Sequence, residues 1–191
     1  MSHPHHHEHA PGPLADASVR TARVSDTPAV GLVQATVWRE AYAGMLPPLV
    51  LDEFEGPRFA SVWRRSLQEP PSPQHRLLVA CAGEQVVGFV AIGPADPEEP
   101  GLPEDAGEVL VLAVHPDARR VGHGSRLLNA AADTLRANDR SAIVSWLPAA
   151  DERARAFAAS AGLEADGAWR ERVVGPDGER LREVRVQALL P

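Results

Sequence analysis

Apolar positions along the chain fall into runs whose period changes from segment to segment. Residues 108–114 are almost continuously apolar, which predicts a central strand covered on both faces. Pro116 stops that strand, and Arg119-Arg120-Val121-Gly122-His123-Gly124 turns the chain. Residues 125–138 then place Leu127, Leu128, Ala131 and Leu135 at helical spacing. Upstream, residues 19–24 alternate like a short first strand. Ser25 or Asp26 can cap a helix with Pro28 in its first turn, and Val30, Val33, Val37 and Ala41 share one face of it. Shorter helical patterns follow over 49–54 and 57–67, and Pro70, Pro71 and Pro73 end the last. Residues 77–82 and 85–92 are strand-like on either side of Gly83-Glu84, a tight hairpin signal.

Beyond the glycine turn, residues 142–147 form a further strand. Asp151 can cap a helix bearing Ala154, Phe157, Ala158 and Ala161, with Gly162 as its stop. Residues 168–174 and 182–189 flank Gly175-Pro176-Asp177-Gly178 as a closing hairpin. The order is strand, two or three helices, three strands, helix, strand, helix, two strands. It predicts one α/β (α+β) domain over residues 19–191, with a mixed, mainly antiparallel central sheet of about seven strands flanked by helices.

Composition adds exclusions. The chain has 191 residues and a net charge of −7, so a general basic surface for nucleic acid is not expected. All its basic residues other than histidine are arginines. The single cysteine, Cys81, excludes an internal disulfide. No apolar run has membrane-spanning length and no signal-peptide core is present, so a cytoplasmic protein with no membrane partner is expected. Residues 1–18 hold five histidines among Pro, Gly and Ala and predict a disordered tail rather than a metal site. The acid-rich stretch 93–107 reads as a solvated loop, or as a rim that attracts a cationic acceptor.

A glycine turn feeding a helix is a ready anion site, because the first helical N–H groups lack internal partners. The turn lacks the Gly-Lys-Ser/Thr end of a Walker loop, and Leu127 stands where a dinucleotide fingerprint needs its third glycine. The frame is more specific than the glycines: Val114-x-Pro116, then Arg119-x-x-Gly122-x-Gly124, then Leu127-Leu128.

That frame resembles the GNAT acyltransferase superfamily, over roughly residues 19–189. Asp151-x-x-Ala154-x-x-Phe157-Ala158-x-x-x-Gly162-Leu163 matches a second family block in part, and Trp38-x-x-x-Tyr42-x-x-Met45-Leu46-Pro47 resembles one bacterial branch. The resemblance implies transfer of an acetyl group from acetyl-CoA to a primary amine, small molecule or protein, by direct attack. It implies a coenzyme site made of Leu112, Ala113, Val114, the backbone from Val121 through Gly122, His123 and Gly124 to Ser125, Arg119 or Arg120 for charge, Asp151 and Phe157. Glu108 is the implied general base. Trp38 and Tyr42 line the implied acceptor site. His115 and His123 flank the turn, are expected to be exposed, and receive no role of their own. Homodimers recur in the family and are among its implied assemblies.

The sequence departs from the family at Ala158, where a tyrosine often protonates the leaving thiolate. Tyr42, Ser145 and Cys81 are the substitutes. The rival expectation is a catalytically silent acyl-CoA-binding regulatory module.

Overall fold

A computed structural model describes residues 17–191 of the chain; the predicted histidine-rich tail lies almost wholly outside the described residues. The elements are β1 (Ala17–Thr21), α1 (Thr27–Ala41), α2 (Pro48–Asp52), α3 (Gly56–Gln68), β2 (Arg76–Ala82), β3 (Gln85–Pro94), β4 (Gly107–Val114), α4 (His123–Arg136), β5 (Ala142–Pro148), α5 (Glu152–Ser160), β6 (Glu164–Val173) and β7 (Arg180–Leu189). The seven strands form one sheet in the order β1-β2-β3-β4-β5-β7-β6. Every neighbouring pair is antiparallel except β4 with β5. No helix among the described residues is long and apolar enough to cross a membrane.

The two faces of the sheet carry separate cores. One packs Leu127, Leu128, Ala131 and Leu135 of α4 onto Leu78, Val90, Val109, Ile143 and Val186. The other packs Val30 and Val33 of α1 onto Val79, Phe89, Ala91 and Ala113. The predicted apolar stripes of α1 and α4 are therefore the buried ones. The first strand ends earlier than its pattern suggests. It ends at Thr21, and a single 3-10 turn follows, in which Asp26 accepts from the Arg23 amide at 2.6 Å and pairs with Arg20 at 2.7 Å. Helix α4 begins at His123, two residues early, because the first helical residues after a glycine need not be apolar. Strand β6 also begins earlier, at Glu164, because edge pairing with β7 needs no apolar alternation.

Strand β4 corrects the sequence reading most. It is central, yet Leu110 is 45% exposed. The register to β3 runs Ile92↔Val109 and then Ala91↔Val111, which leaves Leu110 as an unpaired bulge residue. On the other side, β4 pairs with β5 only through Gly107↔Ile143 and Glu108↔Val144. Beyond Glu108 the two strands part, so one flank of β4 has no neighbour to cover it.

Helices α1 and α3 meet at glycine. A Cβ on Gly31 would lie 2.3 Å from the Gly56 carbonyl oxygen and 2.6 Å from the Ala60 nitrogen, both rigid backbone atoms. Gly31→Ala should therefore lower stability by about 1–3 kcal/mol, as overpacking does. Urea unfolding of the two proteins measures it, and coincident midpoints would contradict this packing.

Candidate active site

The turn after β4 leaves its backbone as well as its side chains open to solvent. Gly122 has φ +89°, a conformation that is costly for any residue with a Cβ, and α4 starts at the next residue. No side chain caps this helix. Arg120, Val121, Gly122 and Ser125 are exposed. The unpartnered N–H groups of the first turn are thus open to an anion, with the helix dipole adding positive potential. Gly124 is held by packing: a Cβ there would sit 3.3 Å from Cζ of Phe157 and 3.9 Å from Cγ2 of Val114. Phe157 supports the turn from behind, while Asp151 caps α5 by accepting from the Ala154 amide at 2.9 Å.

The arginines of the turn have different roles. Arg119 donates through Nε to the Val114 carbonyl at 3.1 Å and pairs with Glu40 of α1 at 2.8 Å; Arg153 pairs with the same carboxylate at 2.7 Å. Both pairs hold the Glu40 carboxyl below its ordinary range. Arg120 is exposed, at φ +69°. Arg126, which the sequence reading missed, folds back to donate to the Val121 carbonyl at 3.1 Å, with its guanidinium 3.3 Å from the Cβ position of Gly122. Its signal was present, since i and i+4 share a helix face. His123 is a correction: it is 4% exposed rather than solvated, and burial pushes its imidazole down, towards the neutral form.

From this turn the opening between β4 and β5 runs back to Glu108. Val114 lies six positions beyond Glu108, about 20 Å of strand. The side chains of Leu112 and Val114 pack on the α4 side and Ala113 on the α1 side, so only their backbone can serve a ligand in the gap. At its throat Ser145 donates to the Val109 carbonyl at 2.9 Å, satisfying a group that the missing ladder leaves behind.

Beyond the throat lies a charged cluster that sequence reasoning did not assemble. Glu183 and Arg185 of β7 are 3% and 4% exposed. Arg170 donates to Glu183 at 2.6 Å, Arg172 lies 3.4 Å from it, and Arg185 donates to Asp166 at 2.7 Å. Arg170 also lies over the Trp146 ring, 4.3 Å from its centroid. The acidic stretch after β3 is not simply solvated, because Glu99 turns inward to within 3.6 Å of Arg185 and 3.9 Å of Arg170. Glu108 sits beside this cluster, half-buried. Burial raises its carboxyl above the ordinary carboxylate range, Arg170 opposes the rise, and Glu99, Glu183 and Asp96 add to it.

Aromatic residues cluster around Trp38. Trp38 lies edge-on to Tyr42, Phe54 and Phe59, with centroids 5.6, 5.4 and 5.3 Å away. Burial and the charge of Glu183 raise the Tyr42 phenol, while Arg172 opposes them. The structure thus brings Tyr42 into the same electrostatic neighbourhood as β7. It leaves Cys81 elsewhere, buried in the α1-side core and paired with Ser18 of β1. Ala158 is buried in the α4-side core.

A family model described as the acetyltransferase (GNAT) family matches residues 37–163, well over half of the chain. This chain belongs to the GNAT family. A probable N-acetyltransferase of Mycobacterium tuberculosis is 28% identical over 155 residues, covering 78% of this chain and 80% of that protein. Among solved structures, the PaiA N-acetyltransferase of Thermoplasma acidophilum in complex with coenzyme A has the same fold. Its TM-score is 0.68 at 14% identity, over 91% of this chain and 99% of that one. A putative acetyltransferase of Salmonella typhimurium with acetyl-CoA has a TM-score of 0.58 at 19% identity, over 92% and 94%. The chain is a GNAT acetyltransferase. An open helix N-terminus for a pyrophosphate and an unpaired strand flank for an extended amide-bearing arm fit an acyl-CoA donor.

Replacing Gly124 tests the donor turn. Gly124→Val pushes a branched side chain into the Phe157 ring and over the helix N-terminus. It should weaken acetyl-CoA binding about tenfold or more, 1.4 kcal/mol at the least, measured by calorimetry. An unchanged Kd would remove this turn from the site.

Proposed function

We propose that this GNAT enzyme moves the acetyl group of acetyl-CoA onto a primary amine by direct attack, with Glu108 as general base. The observation that carries the reading is the place of Glu108. It is the last residue at which β4 and β5 still pair, so its carboxylate stands at the throat where a thioester in the gap would meet an acceptor. An amine is protonated at neutral pH and must lose a proton before it can attack. A carboxyl raised by burial is better matched to that task than one in water. Val121–Ser125 amides would hold the pyrophosphate, and Arg126 lies close enough to add charge.

Trp38 and Tyr42 line the acceptor side. The Tyr42 phenol is our candidate donor to the departing thiolate. The Ser145 proton is already committed to the Val109 carbonyl, Cys81 lies in the other core, and Ala158 has no proton to give. Among the described residues nothing accepts the Tyr42 proton, and its raised pKa keeps the phenol protonated across the working range. Ala158 at the family's tyrosine position also favours a second reading, a silent acyl-CoA-binding module. Free-thiol release in a panel of arylalkyl amines, polyamines, amino acids and peptide N-termini separates the two. Coenzyme binding without thiol release from any acceptor would select the module.

Glu108→Gln should lower kcat by about 100-fold or more, the usual worth of general base catalysis, and leave the Kd for acetyl-CoA unchanged. In the parent, the base must be ionised, so kcat/KM should rise with pH through a pKa above the ordinary carboxylate range. Stability runs the other way. The folded state holds the Glu108 proton to higher pH than the unfolded chain, so ionisation costs stability as pH rises from the unfolded pKa through the folded one. Glu108→Gln should therefore be at least as stable as the parent at pH 7 while being far less active. Activity within a few-fold of the parent would refute the base assignment.

A further inference from the structure

Glu108 shares one row of the sheet with a histidine that the reaction scheme above does not use. In the β3–β4 ladder Glu108 stands opposite Gly93. In the β2–β3 ladder Arg76 stands opposite Ile92 and Leu77 opposite Ala91. One more step of that register puts His75, just before β2, opposite Gly93 from the other side. His75, Gly93 and Glu108 therefore lie side by side across three strands. Directly opposed residues on an antiparallel pair share a face, with Cβ positions about 5 Å apart.

The middle member has no side chain, and the imidazole occupies its place. A Cβ on Gly93 would lie 2.7 Å from both Cδ2 and Nε2 of His75. The ring is thus folded over Gly93, with its Cδ2–Nε2 edge nearest that residue. Its other nitrogen, Nδ1, is 2.8 Å from the Ser72 hydroxyl, on the side away from the ladder. A ring whose Nδ1–H donates to Ser72 presents a lone pair at Nε2. His75 is half-buried, and a cavity of about 220 Å³ runs beside it, bounded by Trp63, Leu67 and the bulged Leu110. That cavity touches both the imidazole and the bulge of β4.

We infer that His75 is the proton relay between Glu108 and solvent, working through a water over Gly93. The inference rests on Glu108 being the base. The balance of the reaction calls for such a route. An ammonium acceptor and a thioester become an amide, a thiol and one free proton. The C–N bond forms, the C–S bond breaks and the sulfur keeps the electron pair. Of the two nitrogen protons lost, one ends on sulfur and one on Glu108. Glu108 must shed its proton before the next turnover, and its other neighbours offer no neutral base. Arg170 is a permanent cation, while Glu183, Glu99 and Asp96 are carboxylates whose charge already opposes its ionisation. His75 takes the proton at Nε2 and yields it to the water of the cavity.

His75→Gln keeps a polar side chain over Gly93 but cannot carry a proton. It should lower kcat about tenfold with the acetyl-CoA Kd unchanged, and the lost rate should return with imidazole added to His75→Ala. The assay uses phenethylamine, or else the basal hydrolysis of acetyl-CoA, in which water is the acceptor. Full kcat in His75→Gln overturns the relay, and so does a loss in His75→Ala that imidazole fails to restore. If Glu108→Gln is inactive in that same experiment, the base assignment stands without the relay; if it is fully active, the base assignment itself is lost.

Discussion

The whole site depends on the parting of β4 from β5. A parallel pair in the middle of a sheet ordinarily continues for the length of both strands, because each unpaired backbone group costs free energy when water cannot replace its partner. Here the pairing stops after Gly107 and Glu108. Its consequences are spread over the structure. Leu110 bulges out of the ladder to β3, Ser145 supplies its hydroxyl to the abandoned Val109 carbonyl, and the flank of β4 stays open to a ligand. The sheet tolerates this because β4 is anchored along its other edge by β3, and β5 by β7. What the fold forgoes in strand pairing, an extended amide chain can restore.

The charges are sorted along that opening. At one end stand bare helical N–H groups with Arg126 beside them, suited to phosphate oxygens. At the other stands a carboxylate raised by burial and surrounded by further carboxylates, suited to accepting a proton. The two ends are separated by about 20 Å of strand, so a site of each kind coexists without neutralising the other. Glu40 ties α1 to the glycine turn through Arg119 and to α5 through Arg153, and Trp38 lies on the same helix, with Tyr42 just past its end.

The local parts of this protein were legible in one dimension. Apolar runs and helical spacing marked the strands and helices, and the frame from Val114 to Leu128 marked the donor turn, because a left-handed glycine, a helix start and a proline stop are properties of short segments. The Phe157 contact with Gly124 joins two helices whose signatures lie in separate stretches of sequence, so no local pattern shows it. Strand β4 was misjudged for a physical reason: an apolar run reports low affinity for water, not which neighbour covers it. Leu110 is as apolar as Val109, yet one is exposed and the other buried, and the difference is a bulge that no period in the sequence encodes.

The sequence by itself determined the elements, their order, the apolar stripes of the helices and the glycine turn, since each follows from residues within one short segment. Tertiary structure alone decided the charged cluster. Glu108, Trp146, Arg170, Glu183 and Arg185 come from four strands, Tyr42 lies just past the end of α1, and Glu99 joins them from a stretch whose composition suggested a solvated loop or an acidic rim. The row of His75, Gly93 and Glu108 is the same kind of fact. Its members are spaced by strand register, and register is set by the packing of whole faces, which long-range burial decides and local pattern does not.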